Sequence, residues 1–76
     1  MQTISAAQAE TFFPFEPVGK TIDDLETPVP VIDFDVMLKN LVRWQAHCDA
    51  VGVANRPHIK THKLVPIAKL QLALGA

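Results

Sequence analysis

The chain has little of what marks several common classes of protein. One cysteine among 76 residues excludes an internal disulfide and fits a reducing compartment. Seven basic against eight acidic residues give a net charge of -1, which does not favour nucleic acid or an anionic membrane as partner. No apolar run approaches the roughly 20 residues of a membrane helix, and a signal peptide's basic and apolar regions are missing. These absences predict a cytoplasmic globular protein.

A helical stripe of apolar residues occupies the middle of the chain. Its members recur at spacings of four, three, four and three, as a helix with one buried face requires. They are Met37, Leu41, Trp44, Cys48 and Val51. Asp33 or Asp35 is suited to cap the start of this helix, and Gly52 is suited to end it. The pattern predicts a helix between these caps, with Trp44 and Cys48 packed in the core.

Short apolar segments on either side of this helix are predicted to be strands. The first regular strand is expected over residues 31–34, just after Pro30, and the second over residues 53–61. Pro66 then suits the first turn of a second helix. The buried stripe of that helix would hold Ile67, Leu70 and Leu74. The order strand, helix, strand, helix with short connections predicts a parallel α/β fold.

The octapeptide RPHIKTHK, residues 56–63, is the most informative feature of the sequence. Pro57 argues against a helix interior, and two β-branched residues favour extended backbone. Alternate residues of a strand share a face, and one face would hold His58, Lys60 and His62. Lysine amines lose their proton readily when partly buried near positive charge. This arrangement therefore suits an amine that reacts with a carbonyl compound.

Simpler structural interpretations of these residues compete with the catalytic one. Lys60 could be a surface lysine at a strand end, and Lys63 is its rival as the reactive amine. Lys63 falls on the opposite strand face, where it would meet solvent or phosphate. His58 and His62 could bind a metal together if the segment were helical. Because the segment reads as a strand, a polar wall of a binding pocket is favoured for both histidines, and no metal site is predicted in the chain.

Three marks along residues 26–76 resemble those of a known enzyme family. They are Thr27-Pro28 before a strand ending Ile32-Asp33, Asn40 within the helix, and Arg56-Pro57-His58-x-Lys60 followed by Thr61-His62-Lys63. The family is that of the fold-type III pyridoxal-phosphate (PLP) enzymes, in the branch of the D-threonine aldolases and D-serine dehydratases. Residues 1–25 resemble nothing in it and are interpreted as an N-terminal extension, whose Phe12, Phe13 and Phe15 would need a covering surface.

The resemblance implies a fold, a cofactor and a site. Residues 26–76 would be the first two βα units of an alanine racemase-like, PLP-binding (β/α)8 barrel, so the chain is expected to be an α/β fragment truncated after βαβα. Such a barrel takes on the order of 250 residues. In the family the first lysine of the octapeptide forms the Schiff base with PLP, which maps onto Lys60, with His58 and His62 in the cofactor pocket. A divalent metal with its ligands outside this chain, and a homodimer, are expected of the full-length enzyme.

The resemblance implies a lyase acting on a small D-amino acid and leaves its reaction open. The leading expectation is a D-threonine aldolase type, which cleaves D-3-hydroxy amino acids to glycine and an aldehyde. This expectation depends on the general character of residues 72–76. The alternatives are a D-serine or D-3-hydroxyaspartate dehydratase type, and a truncated remnant without activity. The 76-residue chain alone is expected neither to fold stably nor to be active.

Overall fold

The computed structural model describes residues 4–13 and 21–76, and its regular structure is helical. Helix α1 is Ala6–Glu10, α2 is Phe34–Val51 and α3 is Val65–Leu74, with a short 3-10 helix at Ile22–Asp24. None of the residues in these two ranges forms a strand. The predicted βαβα portion of a (β/α)8 barrel is therefore wrong for this structure.

Both segments that were predicted to be strands are irregular. Residues 29–33 and 53–59 form no ladder, and the exposed fractions of their valines and isoleucines lie between 45% and 60%. β-branched residues favour extended backbone, but a strand also needs a partner whose ladder it joins. Pro30 and Pro57 each remove a backbone donor, and a two-stranded sheet is marginal in water. Local preference alone was therefore not sufficient to make a sheet.

Helix α2 begins and ends where its capping residues predicted. The Asp33 carboxylate accepts a hydrogen bond from the Val36 backbone N–H at 3.1 Å, which satisfies one of the first donors of the helix. Gly52 follows the last turn with φ of 74°, the left-handed conformation that glycine adopts without steric cost. The predictions for the two ends of α2 are confirmed.

The predicted buried face of α2 is partly wrong. Cys48 is buried as expected, but Trp44 and Val51 are each 57% exposed. The residues that α2 buries most deeply are instead Leu38, Gln45 and Cys48. Trp44 stacks on His47 with ring centroids 5.5 Å apart. The face that packs is thus rotated away from the tryptophan, and a glutamine takes part in it.

The core lies where the three helices meet. Ala9, Leu38, Leu70 and Leu74 form one buried cluster. Helix α1 enters this cluster through Ala9, and a reciprocal pair of hydrogen bonds between Ser5 and Gln8 caps its start. The predicted buried stripe of α3 is confirmed, since Ile67, Leu70 and Leu74 are at most 4% exposed.

The N-terminal phenylalanines are partly covered by this core. Phe12 and Phe13 are half-buried against the cluster, and the Phe13 ring meets the Phe34 ring edge to face at 5.3 Å. Phe15 lies outside the described residues. Across the ranges that the structure describes, no helix has both the length and the apolar character that crossing a bilayer needs.

Candidate functional site

Lys60 lies in a hydrogen-bonded turn. The Lys63 backbone N–H donates to the Ile59 carbonyl at 2.9 Å and closes a turn over residues 60–62. Lys63 has φ of 54°, in the left-handed region that a residue with a β-carbon rarely adopts. The strand on which a shared face of His58, Lys60 and His62 depended is therefore not present.

Both ring nitrogens of His62 have partners within the chain. The Leu64 backbone N–H donates to Nδ1 at 2.9 Å, and Nε2 lies 3.2 Å from the Gln71 side-chain oxygen Oε1. A backbone N–H can only donate, so Nδ1 is the nitrogen without a proton. Nε2 then carries the hydrogen and donates it to Gln71. The ring consequently joins the turn at Lys60 to helix α3.

A second amide contact fixes the chain just before the octapeptide. Gln45 on α2 is 3% exposed, donates through Nε2 to the Asp49 carboxylate at 2.9 Å, and accepts from Asn55 Nδ2 at 3.0 Å. A β-carbon on Gly75 would lie 3.1 Å from Gln45 Nε2, so the end of α3 also packs closely against this amide. The octapeptide is thus held on one side through Gln45 and on the other through Gln71.

An open groove lies beside the turn. It has a volume of about 420 Å³, within the range of small-molecule sites. Its lining is mostly apolar and consists of Val31, Ile32, Asp33, Val36, Met37, Asn40, Leu41, His62 and Ile67. His62 is the octapeptide residue that lines it, while Lys60 is exposed two residues away.

The other predicted site residues are placed at the surface. His58 and Lys63 are exposed, and neither lines the groove. No three His, Cys, Asp or Glu side chains within residues 4–13 and 21–76 are grouped so as to hold a metal ion. Sequence reasoning missed Gln45, Asn55 and Gln71. Gln45 could have been found from its position three residues before Cys48, which places it on the same, buried face of the helix.

Comparison with known proteins defines a class: dehydratases and aldolases of D-amino acids. D-threo-3-hydroxyaspartate dehydratase of Delftia sp. (strain HT23) is 52% identical over 56 residues, 74% of this chain and 15% of that protein. D-serine dehydratase of Schizosaccharomyces pombe is 43% identical over 79% of this chain and 14% of that protein. D-threonine aldolase of an Arthrobacter species is 45% identical over 76% of this chain and 15% of that protein.

The chain belongs to the family of the D-threonine aldolases and D-serine dehydratases. The resemblance seen in the sequence is therefore confirmed. The chain spans about 15% of the length of the relatives that it matches. No family model matches the chain, and no solved structure matches it.

Proposed function

We propose that the complete gene product is a PLP-dependent lyase of D-3-hydroxy amino acids, in which Lys60 holds the cofactor. The observation that carries this proposal is the 52% identity to D-threo-3-hydroxyaspartate dehydratase. The other matches support it, because they are also dehydratases or aldolases of D-amino acids.

The residues around Lys60 fit such a cofactor. Its side chain is exposed, so an aldehyde can reach it, and the groove two residues away offers apolar walls together with Asp33, Asn40 and His62. Because both nitrogens of the His62 ring are hydrogen-bonded within the chain, His62 would contact the cofactor through its ring face or edge. His58 is exposed and does not line this groove, so its contact with the cofactor stays a prediction.

In this proposal the protein chooses which bond to Cα breaks. PLP supplies an electron sink for the electrons of that bond. Lys60 Nζ would hold the cofactor and, when it is not bonded to the cofactor, would be an amine that can accept a proton. In dehydration, Lys60 Nζ would be the base that takes the α-proton, and the substrate would lose hydroxide from Cβ. In aldol cleavage, a base outside this chain removes the β-hydroxyl proton, and the Cα–Cβ bond breaks.

Two reactions are compatible with this chain. The leading proposal is aldol cleavage of D-threonine to glycine and acetaldehyde. The second candidate is dehydration, which gives a 2-oxo acid and ammonia. The matches to two dehydratases, at 52% and 43% identity, support dehydration, and the match to D-threonine aldolase at 45% identity supports aldol cleavage.

Product analysis tests the proposal and separates the two reactions. The complete gene product, supplied with PLP, is assayed with D-threonine and D-threo-3-hydroxyaspartate. Glycine with an aldehyde identifies the aldolase, and a 2-oxo acid with ammonia identifies the dehydratase. Lys60→Ala should lower the rate by about a thousandfold or more, and Lys63→Ala far less. Absence of both product pairs would contradict the proposal. It would favour the alternative that the protein is a truncated remnant without activity.

A further inference from the structure

We propose that His62 is a positioning residue, whose doubly hydrogen-bonded ring holds the turn that presents Lys60. The proposal rests on the proposed function, in which Lys60 holds the cofactor. Three observations carry it: the backbone conformation of Lys63, the two partners of the His62 ring, and the packing of the helix that supplies one of them.

The turn at Lys60 contains a backbone conformation that needs support. Lys63 has a left-handed φ of 54°, which a side chain with a β-carbon adopts at a cost. Such residues persist where the surrounding structure determines them, and they cluster at functional sites. His62 precedes Lys63, and its Nδ1 accepts from Leu64, the residue after Lys63. The ring therefore bridges the strained residue from one side to the other.

The second nitrogen of the ring ties this bridge to the core. Gln71, which faces His62 Nε2 at 3.2 Å, belongs to α3. Its neighbour Leu70 is 0% exposed and Leu74 is 2% exposed, so α3 is fixed by the core cluster. A displacement of the turn at Lys60 would break the contact to Gln71. The imidazole of His62 thus connects the turn at Lys60 to a packed helix, in addition to the hold through Gln45 on the other side.

The test compares variants of the complete gene product. His62→Phe keeps an aromatic ring but removes both hydrogen bonds, and Gln71→Leu removes the contact to α3 alone. His62→Asn can still accept from the N–H two residues ahead, as asparagine does in Asx turns. His47→Ala is the matched control, because His47 is an exposed histidine on α2, outside the octapeptide.

Two measurements are made on each variant. Hydrogen–deuterium exchange follows the backbone amides of Lys63 and Leu64. Borohydride reduction with PLP, followed by peptide mapping, gives the share of pyridoxyl on Lys60 and on Lys63. His62→Phe should speed exchange about two- to tenfold, the effect of a lost hydrogen bond, and should move part of the label from Lys60 to Lys63. His62→Asn should restore part of the protection, and His47→Ala should change neither quantity.

The outcomes separate this proposal from the proposed function. If the unaltered protein carried no label on Lys60, the proposed function would be wrong. The exchange rates would still report whether the hydrogen bonds of His62 hold the turn. Unchanged exchange and labelling in both His62→Phe and Gln71→Leu would overturn the positioning role. Faster exchange with an unchanged share on Lys60 would also overturn it, because His62 would then stabilise the turn without placing the lysine. If His62→Phe does not fold, Gln71→Leu decides.

Discussion

The helical core and the Lys60 segment are held by different forces. The helices meet through Ala9, Leu38, Leu70 and Leu74, which exclude water from one cluster. Residues 53–64 have no assigned helix or strand, and polar side chains fix both ends of this segment. Apolar burial therefore determines where the helices lie. Hydrogen bonds from α2 and α3 determine where the Lys60 segment lies.

This difference suggests that stability and chemistry can be changed separately. Apolar burial is non-directional, so it tolerates small adjustments, whereas hydrogen bonds fix particular atoms at particular distances. In the proposed function Lys60 must meet one carbon atom of the cofactor, and such a contact needs the second kind of control. We therefore expect substitutions in the core to act on folding, and substitutions at the amide contacts to act mainly on the Lys60 segment.

The largest expected effect concerns the isolated 76-residue chain. Its radius of gyration is 13.9 Å, against about 11 Å for a compact domain of this length. Its accessible surface is 6168 Å², against about 4,600 Å² for a compact protein of this mass. A small core rarely supplies more than about 3 to 5 kcal/mol, and much apolar surface stays exposed. We predict no cooperative thermal unfolding and no specific binding of PLP. A sharp transition, with protected amides across residues 31–34 and 53–59, would contradict this prediction.

Shortening a buried side chain of the core should have the second largest effect. Leu70 is 0% exposed and Leu72, on the same helix, is 66% exposed. Leu70→Ala should lower the free energy of unfolding by roughly 2 to 5 kcal/mol, while Leu72→Ala should stay within about 0.5 kcal/mol. Urea unfolding of the complete gene product measures both. Equal effects of the two variants would show that the three-helix core is not the one described.

The amide at Gln45 should matter less for stability and more for order. Gln45→Leu leaves Asn55 Nδ2 and the Asp49 carboxylate without their partner, which should cost about 1 to 3 kcal/mol. Exchange at residues 53–59 should rise more than exchange within α2. The control is Arg43→Met, which breaks the exposed hydrogen bond to Asn40 and should cost about 0.5 kcal/mol or less. Uniform loosening of the whole chain would argue against a separate role for this contact.

The smallest effect is expected at the start of α2. Asp33→Ala removes the bond to the Val36 N–H and should cost about 1 kcal/mol. Asp33→Asn should retain most of the capping, since asparagine caps helices equally well. Asp35→Ala, in the first turn of the same helix, should cost a few tenths of a kcal/mol through the helix dipole. Thermal unfolding measures the three variants. If Asp35→Ala lowered the stability more than Asp33→Ala, the assignment of Asp33 as the cap of α2 would be wrong.

The helices could be predicted from the sequence because their signals are local. Asp33, Gly52 and Pro66 mark helix ends through the conformation of a few neighbouring residues, and the structure has each at a helix end. Helix α1 has an equally local signal in the capping box Ser5-x-x-Gln8, although the predicted order of elements lacks this helix.

The strands and the turn could not be predicted in the same way. Residues 29–33 and 53–59 have the composition of strands, but pairing depends on a partner that composition does not specify. The turn at Lys60 depends on Gln71, which is nine residues from His62 in the sequence. It also depends on the left-handed conformation of Lys63, which the residue type does not predict. The identity of Lys60 as the candidate amine came from the family resemblance.

The site of PLP attachment tests the central claim most directly. The complete gene product is incubated with PLP, reduced with borohydride, digested and mapped by mass spectrometry. We predict that the pyridoxyl group is found on Lys60, at a stoichiometry approaching one per chain, with little on Lys63, Lys39 or Lys69. Label chiefly on Lys63, or spread evenly over the exposed lysines, would contradict the assignment of Lys60.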